Sequence, residues 1–587
     1  MQGSPPKKLL SFAERSIFPV TANQKNLFTL LLRRAPYAIL ILTALLYSKA
    51  VFNDFNNFDD DAFILNNPLV KDLSWKGIVA IFSNFNNGKY QPLTTLSFAI
   101  EYHFFGFKPL VFHLTDVILH LLSTWYVFKI AERLSGHRIT AIVVSVLFAV
   151  HPLHVEDVAW ASERKDLLYA LFYLLALLNY LRYIDSGFRI KYYLLTFLFF
   201  LVSLFSKTEA ISLPLLMIVT DVYKQRRING KVLLEKMPFL LFFFLFAVLG
   251  FISNQSDGGL GNVSVSNYYG LINRIFLFTS VPAFYIIKLI APFGLSAMHY
   301  YPDVHNGALP WPYYASLPFM LFIIWVIVRR NSFRREMLFG ISFFLVTICV
   351  MPQIVFVGPS LTPERYSYIP YIGFFYVIGQ WMTTITMPVW KNLAGALFML
   401  LIIFFCVQTW LRIDVWKSSE TLYTDVLEKN ASIADCSYFH WSMGNTMVID
   451  GKLPEAIEEF SEALREHPGY AEAYANRGVA YFQAGDIKPA ISDLDVAIRL
   501  KSSDPRTYYN RASCEASIGN FAKALTDYNV FIALKPDDKT AYADRGMVRL
   551  SLKDTTGACE DWKKAAGLGN DMALQLLQNF GPGHIQR

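Results

Sequence analysis

Apolar and polar positions divide the chain into two parts. From about residue 35 to 411, long apolar runs alternate with short polar links, and after residue 412 the pattern becomes that of ordinary soluble helices. A helix needs about 20 predominantly apolar residues to cross the hydrocarbon core, fewer where it is buried among neighbours. Runs near 35–52, 110–130, 138–153, 166–183, 191–206, 208–222, 237–253, 313–328, 337–353, 367–386 and 392–411 therefore predict a bundle of about eleven transmembrane helices. Most are apolar all round, which excludes the surface helices of a soluble fold. Residues 271–292 are also apolar, but Arg274 and Lys288 interrupt them. Counting them as a span would move the basic run Arg329–Glu336 to the other side, so they are expected to lie at the interface or re-enter; a span is the alternative.

Charge supports this layout. Lys7, Lys8, Arg33 and Arg34 precede the first span and place the N-terminal segment, residues 1–34, in the cytoplasm. Alternate links then carry Arg133 and Arg138; Arg182, Arg189 and Lys191; Lys224, Arg226, Arg227, Lys231 and Lys236; Arg329, Arg330, Arg334 and Arg335; and Lys391. The opposite links are long, acidic and aromatic, and they would face the periplasm or a lumen, together with everything after residue 411. The net charge of +7 is accounted for by these links, so nucleic acid is not an expected partner. Apolar residues reach 54% and charged residues only 17%, which fits membrane lipid as the surroundings. The five cysteines form no CxxC pair and no disulfide pattern.

After a connecting segment at 412–436, four units follow at a spacing of 34, the tetratricopeptide (TPR) period: 437–470, 471–504, 505–538 and 539–570. Small residues stand at the eighth place (Gly444, Gly478, Ala512, Gly546) and the twentieth (Ala456, Ala490, Ala524, Ala558), where paired helices approach. Phe460, Leu494, Tyr528 and Trp562 supply the bulky residue that buries each pair. Residues 571–587 close the chain as a helix and tail. The fold class is thus all-α: a membrane bundle followed by an α-solenoid, whose concave face suits peptides or proteins. A passive spacer or dimerisation arm is the plainer alternative.

Chemistry is sought where ionisable groups gather at span ends, because such groups are expensive near hydrocarbon. The first long link contains Asp59-Asp60-Asp61, three carboxylates that repel one another unless a cation or proton relieves them. A divalent metal or a general base would use such a cluster, and so would a solvated loop. The next begins His151-Pro-Leu-His154-Val-Glu156-Asp157 and leads into Arg164, Lys165 and Asp166. Lys207 and Glu209 mark a third turn, and Pro363-Glu364-Arg365-Tyr366-Ser367-Tyr368 a fourth, where Arg365 offers a planar fork for phosphate. The histidines do not follow the HExxH zinc pattern.

These segments resemble the transmembrane and TPR-containing O-mannosyltransferases and their bacterial relatives, within the GT-C glycosyltransferase superfamily. The matches are Phe58-Asp59-Asp60 with Ile64 and Asn67, HPLHVEDVAWASERKDLL from His151 to Leu168, Ser206-Lys207, and PERYSYIP from Pro363 to Pro370, followed by the TPR array. The resemblance implies a GT-C-like domain over 35–411 that takes a sugar, mannose-like, from a polyprenyl-phosphate donor to a hydroxyl acceptor. It makes Asp59 or Asp60 the catalytic base and Glu156 a second acid. Arg164, Lys207 and Arg365 would neutralise the donor phosphate, with His151, His154, Asp166, Glu209, Glu364 and Tyr366 in support. Asp60 and Glu156 are the candidate ligands if a divalent metal takes part. The TPR array would recruit an acceptor protein or glycan, and the short links and bare TPR arm suggest a bacterial inner membrane. Asp61 and the insertion of Thr208 between Lys207 and Glu209 depart from the animal pattern, leaving sugar and acceptor open.

Two other classes compete. A transporter or flippase would place several charges at mid-span, whereas here they collect at span ends. A non-enzymatic scaffold would use only the TPR arm. The triplets Asn262-Val-Ser264 and Asn430-Ala-Ser432 fit glycosylation acceptors but recur by chance.

Overall fold

The computed structural model describes residues 22–86, 88–256, 269–302, 304, 307–329, 333–348, 360–430, 436–502 and 504–580. Lys7 and Lys8, Cys349, the triplet at Asn262 and the tail after residue 580 lie outside them. The described residues are helical with short connecting loops, and the chain divides into two units, Met1–Asp425 and Val426–Arg587.

Each apolar run of the first unit is a helix, but length separates them. The candidate crossings are Thr29–Phe52, Pro109–Ser135, Ala161–Asp185, Leu271–Lys288 and Pro388–Trp416. The helices Arg138–Val150 and Pro152–Ala159, bent by 53° at their junction, make a sixth if they are one broken span. The count by length and apolarity is thus five or six among the described residues, not eleven. Leu213–Tyr223 shows why: 11 residues at about 1.5 Å rise cover little more than half of the roughly 30 Å core. Leu271–Lys288, expected at the interface, has the length and apolarity of a crossing.

Local sequence sets the breaks. Pro109 and Pro388 occupy first-turn positions, where proline's missing N–H costs no hydrogen bond. Gly136 ends Pro109–Ser135 in the left-handed region, φ 69°. Helices Arg334–Ile348 and Tyr371–Thr384 cross at Gly340 and Gly373, where a Cβ on Gly340 would lie 2.3 Å from Val377 Cγ2 and 2.5 Å from the Gly373 carbonyl oxygen. Such close approach of backbones is how helices gain contact where no hydrophobic force drives them together.

The second unit is four helix pairs, Ser437–Ile449 with Leu453–Glu466, Ala471–Ala484 with Ile487–Arg499, Arg506–Ser517 with Phe521–Leu534, and Lys539–Ser551 with Thr555–Gly567, then Asp571–Phe580. The eighth-place glycines are required by their neighbours: a Cβ at Gly546 would meet Trp562 at 2.4 Å, and one at Gly444 would meet Phe460 at 2.6 Å. Ala456, Ala490, Ala524 and Ala558 are fully enclosed. A ladder of ions joins the repeats. Arg477, Arg511 and Arg545 each grip an aspartate of their own repeat (Asp493, Asp527, Asp561) and a residue of the preceding one (Ser461, Asp495, Asn529).

Candidate acid–cation site

The first long loop is folded down by its apolar residues. Phe63, Ile64 and Val70 pack with Phe98, Phe112 and Ala161 into one cluster. Phe58 lies against Trp160, itself stacked on Trp416 at 4.9 Å. This packing sets Asp59-Asp60 against the turn Pro152–Glu163.

The two adjacent aspartates have different surroundings. Asp60 is fully buried. Its Oδ2 accepts the Asn56 N–H at 2.9 Å, and its Oδ1 accepts the Ser162 N–H at 2.9 Å and the Ser162 hydroxyl. Burial raises its pKa to about 7 in spite of those bonds. It is a staple between loop and turn. The Asp59 carboxylate is half-buried and makes no hydrogen bond among the described residues. Burial raises its pKa, while Lys89, Lys165 and Arg365 pull it down. Both oxygens of Asp59 are open to an incoming hydroxyl, whereas those of Asp60 are already engaged with the loop and the turn.

Three cations, Lys89, Lys165 and Arg365, face Asp59 from three elements, and Lys207 stands further along the same acid–cation set. Arg365 binds Glu156 through both its guanidinium and its main-chain N–H, the latter at 3.1 Å, and its Nε lies 3.6 Å from Glu163. Lys165 Nζ reaches Glu163 at 2.8 Å. Lys207 Nζ lies 2.7 Å from Asp166 and 3.4 Å from Glu209. Burial disfavours the Lys207 charge, but Asp166 and Glu209 more than offset this and hold it protonated above the ordinary lysine range. Arg365 and Lys207 each lie 5.4 Å from the centroid of the Tyr366 ring. Asp157 is fully buried beside this set with neither carboxyl oxygen hydrogen-bonded.

The structure thus brings together Asp59, Glu156, Asp166, Lys207, Glu209, Arg365 and Tyr366, and corrects other expectations. Arg164 is not available to a phosphate: it is fully enclosed, with its guanidinium on Glu101, on Asp116 at 2.7 Å and on the Phe112 carbonyl at 2.7 Å. His151 and His154 stand apart. His151 contacts the Leu289 carbonyl at 3.3 Å, His154 the Phe148 carbonyl at 2.8 Å, and aromatic rings surround both, so they secure the bend after Val150. Glu364 is buried toward Arg412, 3.3 Å away. Asp60 and Glu156 do not fit as metal ligands, since their oxygens are committed to Asn56 and Ser162 and to Arg365 respectively. Among the described residues no three His, Cys, Asp or Glu side chains are placed to hold a metal ion.

Sequence reasoning missed Glu163 and Lys89 and gave Lys165 no role. Glu163 and Lys165 flank Arg164 in the quoted ERKD run. Successive helical residues turn by about 100°, so the residue facing inward could be fixed only once the helix's packing was known. Lys89 had a fainter signal. Asn86 and Lys89 pair main chain to main chain, at 2.9 and 2.8 Å, around Gly88 at φ 71°; a glycine there suits a tight turn.

A helical membrane unit with an acid–cation site at a loop–turn junction, followed by a TPR solenoid, is the class of protein that these features define. The family model described as dolichyl-phosphate-mannose-protein mannosyltransferase matches residues 91–253, which takes in Glu156, Glu163 and Lys207. TPR models match 444–485 and 471–504. The chain is similar to proteins that join such a mannosyltransferase domain to TPR repeats. Among its relatives are Protein O-mannosyl-transferase F38B6.6 of Caenorhabditis elegans and Protein O-mannosyl-transferase TMTC1 of Homo sapiens. Each is 25% identical, over 74% and 76% of this chain. Protein O-mannosyl-transferase Tmtc1 of Drosophila melanogaster is 39% identical over 137 residues, 23% of this chain and 16% of its own length. The chain spans 63% of the worm relative and 56% of the human one.

Proposed function

We propose that this chain is an integral membrane glycosyltransferase that moves a mannose-like sugar from a polyprenyl-phosphate carrier to a hydroxyl acceptor. Asp59 takes the proton of the hydroxyl as its oxygen forms a bond to the sugar's anomeric carbon. The bond from that carbon to the phosphate oxygen breaks, and its electron pair leaves with the polyprenyl phosphate. Lys207 and Arg365 stabilise the charge that develops there, an effect strengthened where water is excluded. Glu156 positions Arg365 from behind. The carrier's apolar tail remains in the bilayer while its phosphate reaches the span ends. The Lys and Arg distribution supports a luminal or periplasmic location for this site, and the TPR solenoid suits the recruitment of acceptor protein.

The observation that carries this reading is the half-buried Asp59 carboxylate, free of hydrogen bonds and facing three cations. The test is sugar transfer by purified protein in detergent, from polyprenyl-phosphate mannose to a serine- or threonine-containing peptide. Detergent removes the compartments a transporter needs, and a scaffold would transfer nothing. The expected result is transfer that Asp59→Asn abolishes. Donor binding without transfer by the wild type, or undiminished transfer by the variant, overturns it.

A further inference from the structure

The site's cations differ in one respect that neither their sequence positions nor the family match reveals. Lys165, Lys207 and Arg365 are each already paired with an acid, namely Glu163, Asp166 and Glu156. Lys89 makes no ion pair among the described residues, and its side chain is exposed. Its ammonium instead sits over the Phe63 ring, 5.0 Å from the centroid, and that of Lys165 lies 5.7 Å from the same centroid. Two ammonium groups thus converge on one ring, and Lys89 also faces Asp59, Glu163 and Arg365. Like charges held this close are relieved by an anion received between them.

The surrounding chain holds Lys89 in place. The main-chain pair Asn86–Lys89 closes its turn, and the Tyr90 hydroxyl donates to the Phe82 carbonyl at 3.0 Å. Tyr90 packs on Phe205 and Phe246, and Thr94 donates to the Ser206 carbonyl at 3.2 Å, next to Lys207. A lysine carried on an anchored turn, in direct ion pair with no acid among the described residues, is placed to meet an incoming anion.

We infer that Lys89 is a phosphate-binding residue: with Lys165, across the face of Phe63, it receives the phosphate of the lipid carrier. The inference rests on the proposed donor class and adds the group that first contacts it. Lys207 and Arg365 would act later, as charge develops on the leaving group.

The test uses the full chain in detergent, with decaprenyl phosphate, decaprenol and inorganic phosphate as probes in a direct binding titration. Lys89→Ala should weaken decaprenyl phosphate about tenfold and leave decaprenol within twofold. Lys89→Arg should restore binding to within about threefold, since the charge rather than the shape is what matters. The side chain is exposed, so the variant should fold, and an unchanged melting temperature would show it. Equal binding of decaprenyl phosphate by wild type and Lys89→Ala overturns the inference while leaving the enzyme reading intact. Wild type that binds decaprenol as tightly as its phosphate overturns both. Inorganic phosphate binding as tightly as decaprenyl phosphate would overturn the lipid carrier as the source of the anion.

Discussion

Helix Arg164–Asp185 carries a charged network near each end, and the two differ in how completely they are satisfied. Near its C-terminal end, the Tyr180 hydroxyl donates to Asp221 at 2.6 Å and accepts from Lys236 at 2.6 Å. Lys236 also reaches Asp221 at 2.9 Å, and Arg226 grips both oxygens of Glu235 at 2.8 and 2.7 Å. Asp221 and Lys236 are fully buried, and neither has an unpartnered atom. Near the N-terminal end, cations and acids also pair, but among the described residues Asp59 keeps unused lone pairs, Lys89 makes no ion pair and Asp157 has two unpartnered oxygens. Burial and ion pairing occur at both ends and therefore do not identify function. What distinguishes the site is unfilled bonding capacity, because only groups not already satisfied can bind or transform another molecule.

The largest expected effect tests that distinction directly. Asp59→Asn should reduce transfer by about 100-fold or more, the range for loss of a general base, at an unchanged melting temperature. Asp60→Asn should lower the melting temperature first, because an amide cannot accept both the Asn56 and Ser162 N–H groups. If the two variants lose activity alike with stability intact, the contrast between staple and base fails. Next comes the closed network: Asp221→Asn leaves Lys236 buried with its partner weakened, and unpaired buried charges cost about 3–5 kcal/mol. Unfolding in detergent should show that loss, and transfer per folded molecule should not change. A drop in transfer without a drop in stability would place function at that end as well.

How much of this was legible in the sequence follows from what each signal measures. The TPR array was readable at residue level because its spacing fixes which small residue meets which large one, as Gly546 meets Trp562. The apolar runs gave helices, but composition does not report length in space, so the short Leu213–Tyr223 was counted as a crossing. At the site, residue type located the region while orientation determined the roles. Asp59 and Asp60 are chemically identical neighbours that differ in their hydrogen bonds, and Arg164 differs from Lys165 in which way the first turn of a helix faces. Those distinctions depend on Ser162, Glu101 and Asp116, partners between 48 and 102 residues away, and local pattern cannot supply them.

The pH dependence of stability should separate the staple from the closed network by a smaller effect. Asp60 has a pKa of about 7 when folded and near 3.9 when unfolded. Between those values the native state binds more protons than the unfolded one, so stability falls as pH rises from about 4 to 7 and levels off above. Melting temperatures across that range should slope downward in the wild type and less steeply in Asp60→Asn. Activity should run the other way over the acidic side. Burial raises the Asp59 pKa, and a base works only once deprotonated, so transfer should increase with pH through a midpoint above that of free aspartate. A midpoint at or below the free value would mean that Asp59 is solvated and not the base.

The smallest effect concerns the TPR ladder, a third network that is closed like the distal one but lies nearer to water. Arg511 binds Asp527 through two bonds of 2.7 Å and Asp495 through a third of 2.7 Å, and its side chain is 23% exposed. Arg511→Ala should cost about 1–2 kcal/mol, mostly from leaving the nearly buried Asp527 without its donor. Because each repeat contacts only its neighbours, the loss should fall on the second and third repeats and not on the array as a whole. Hydrogen exchange would show it as faster opening of residues 487–534 with the amides of 555–567 unaffected. Uniform loosening of all four repeats would mean that the ladder acts as one cooperative element. The satisfied networks would then differ among themselves, as well as from the open one around Asp59.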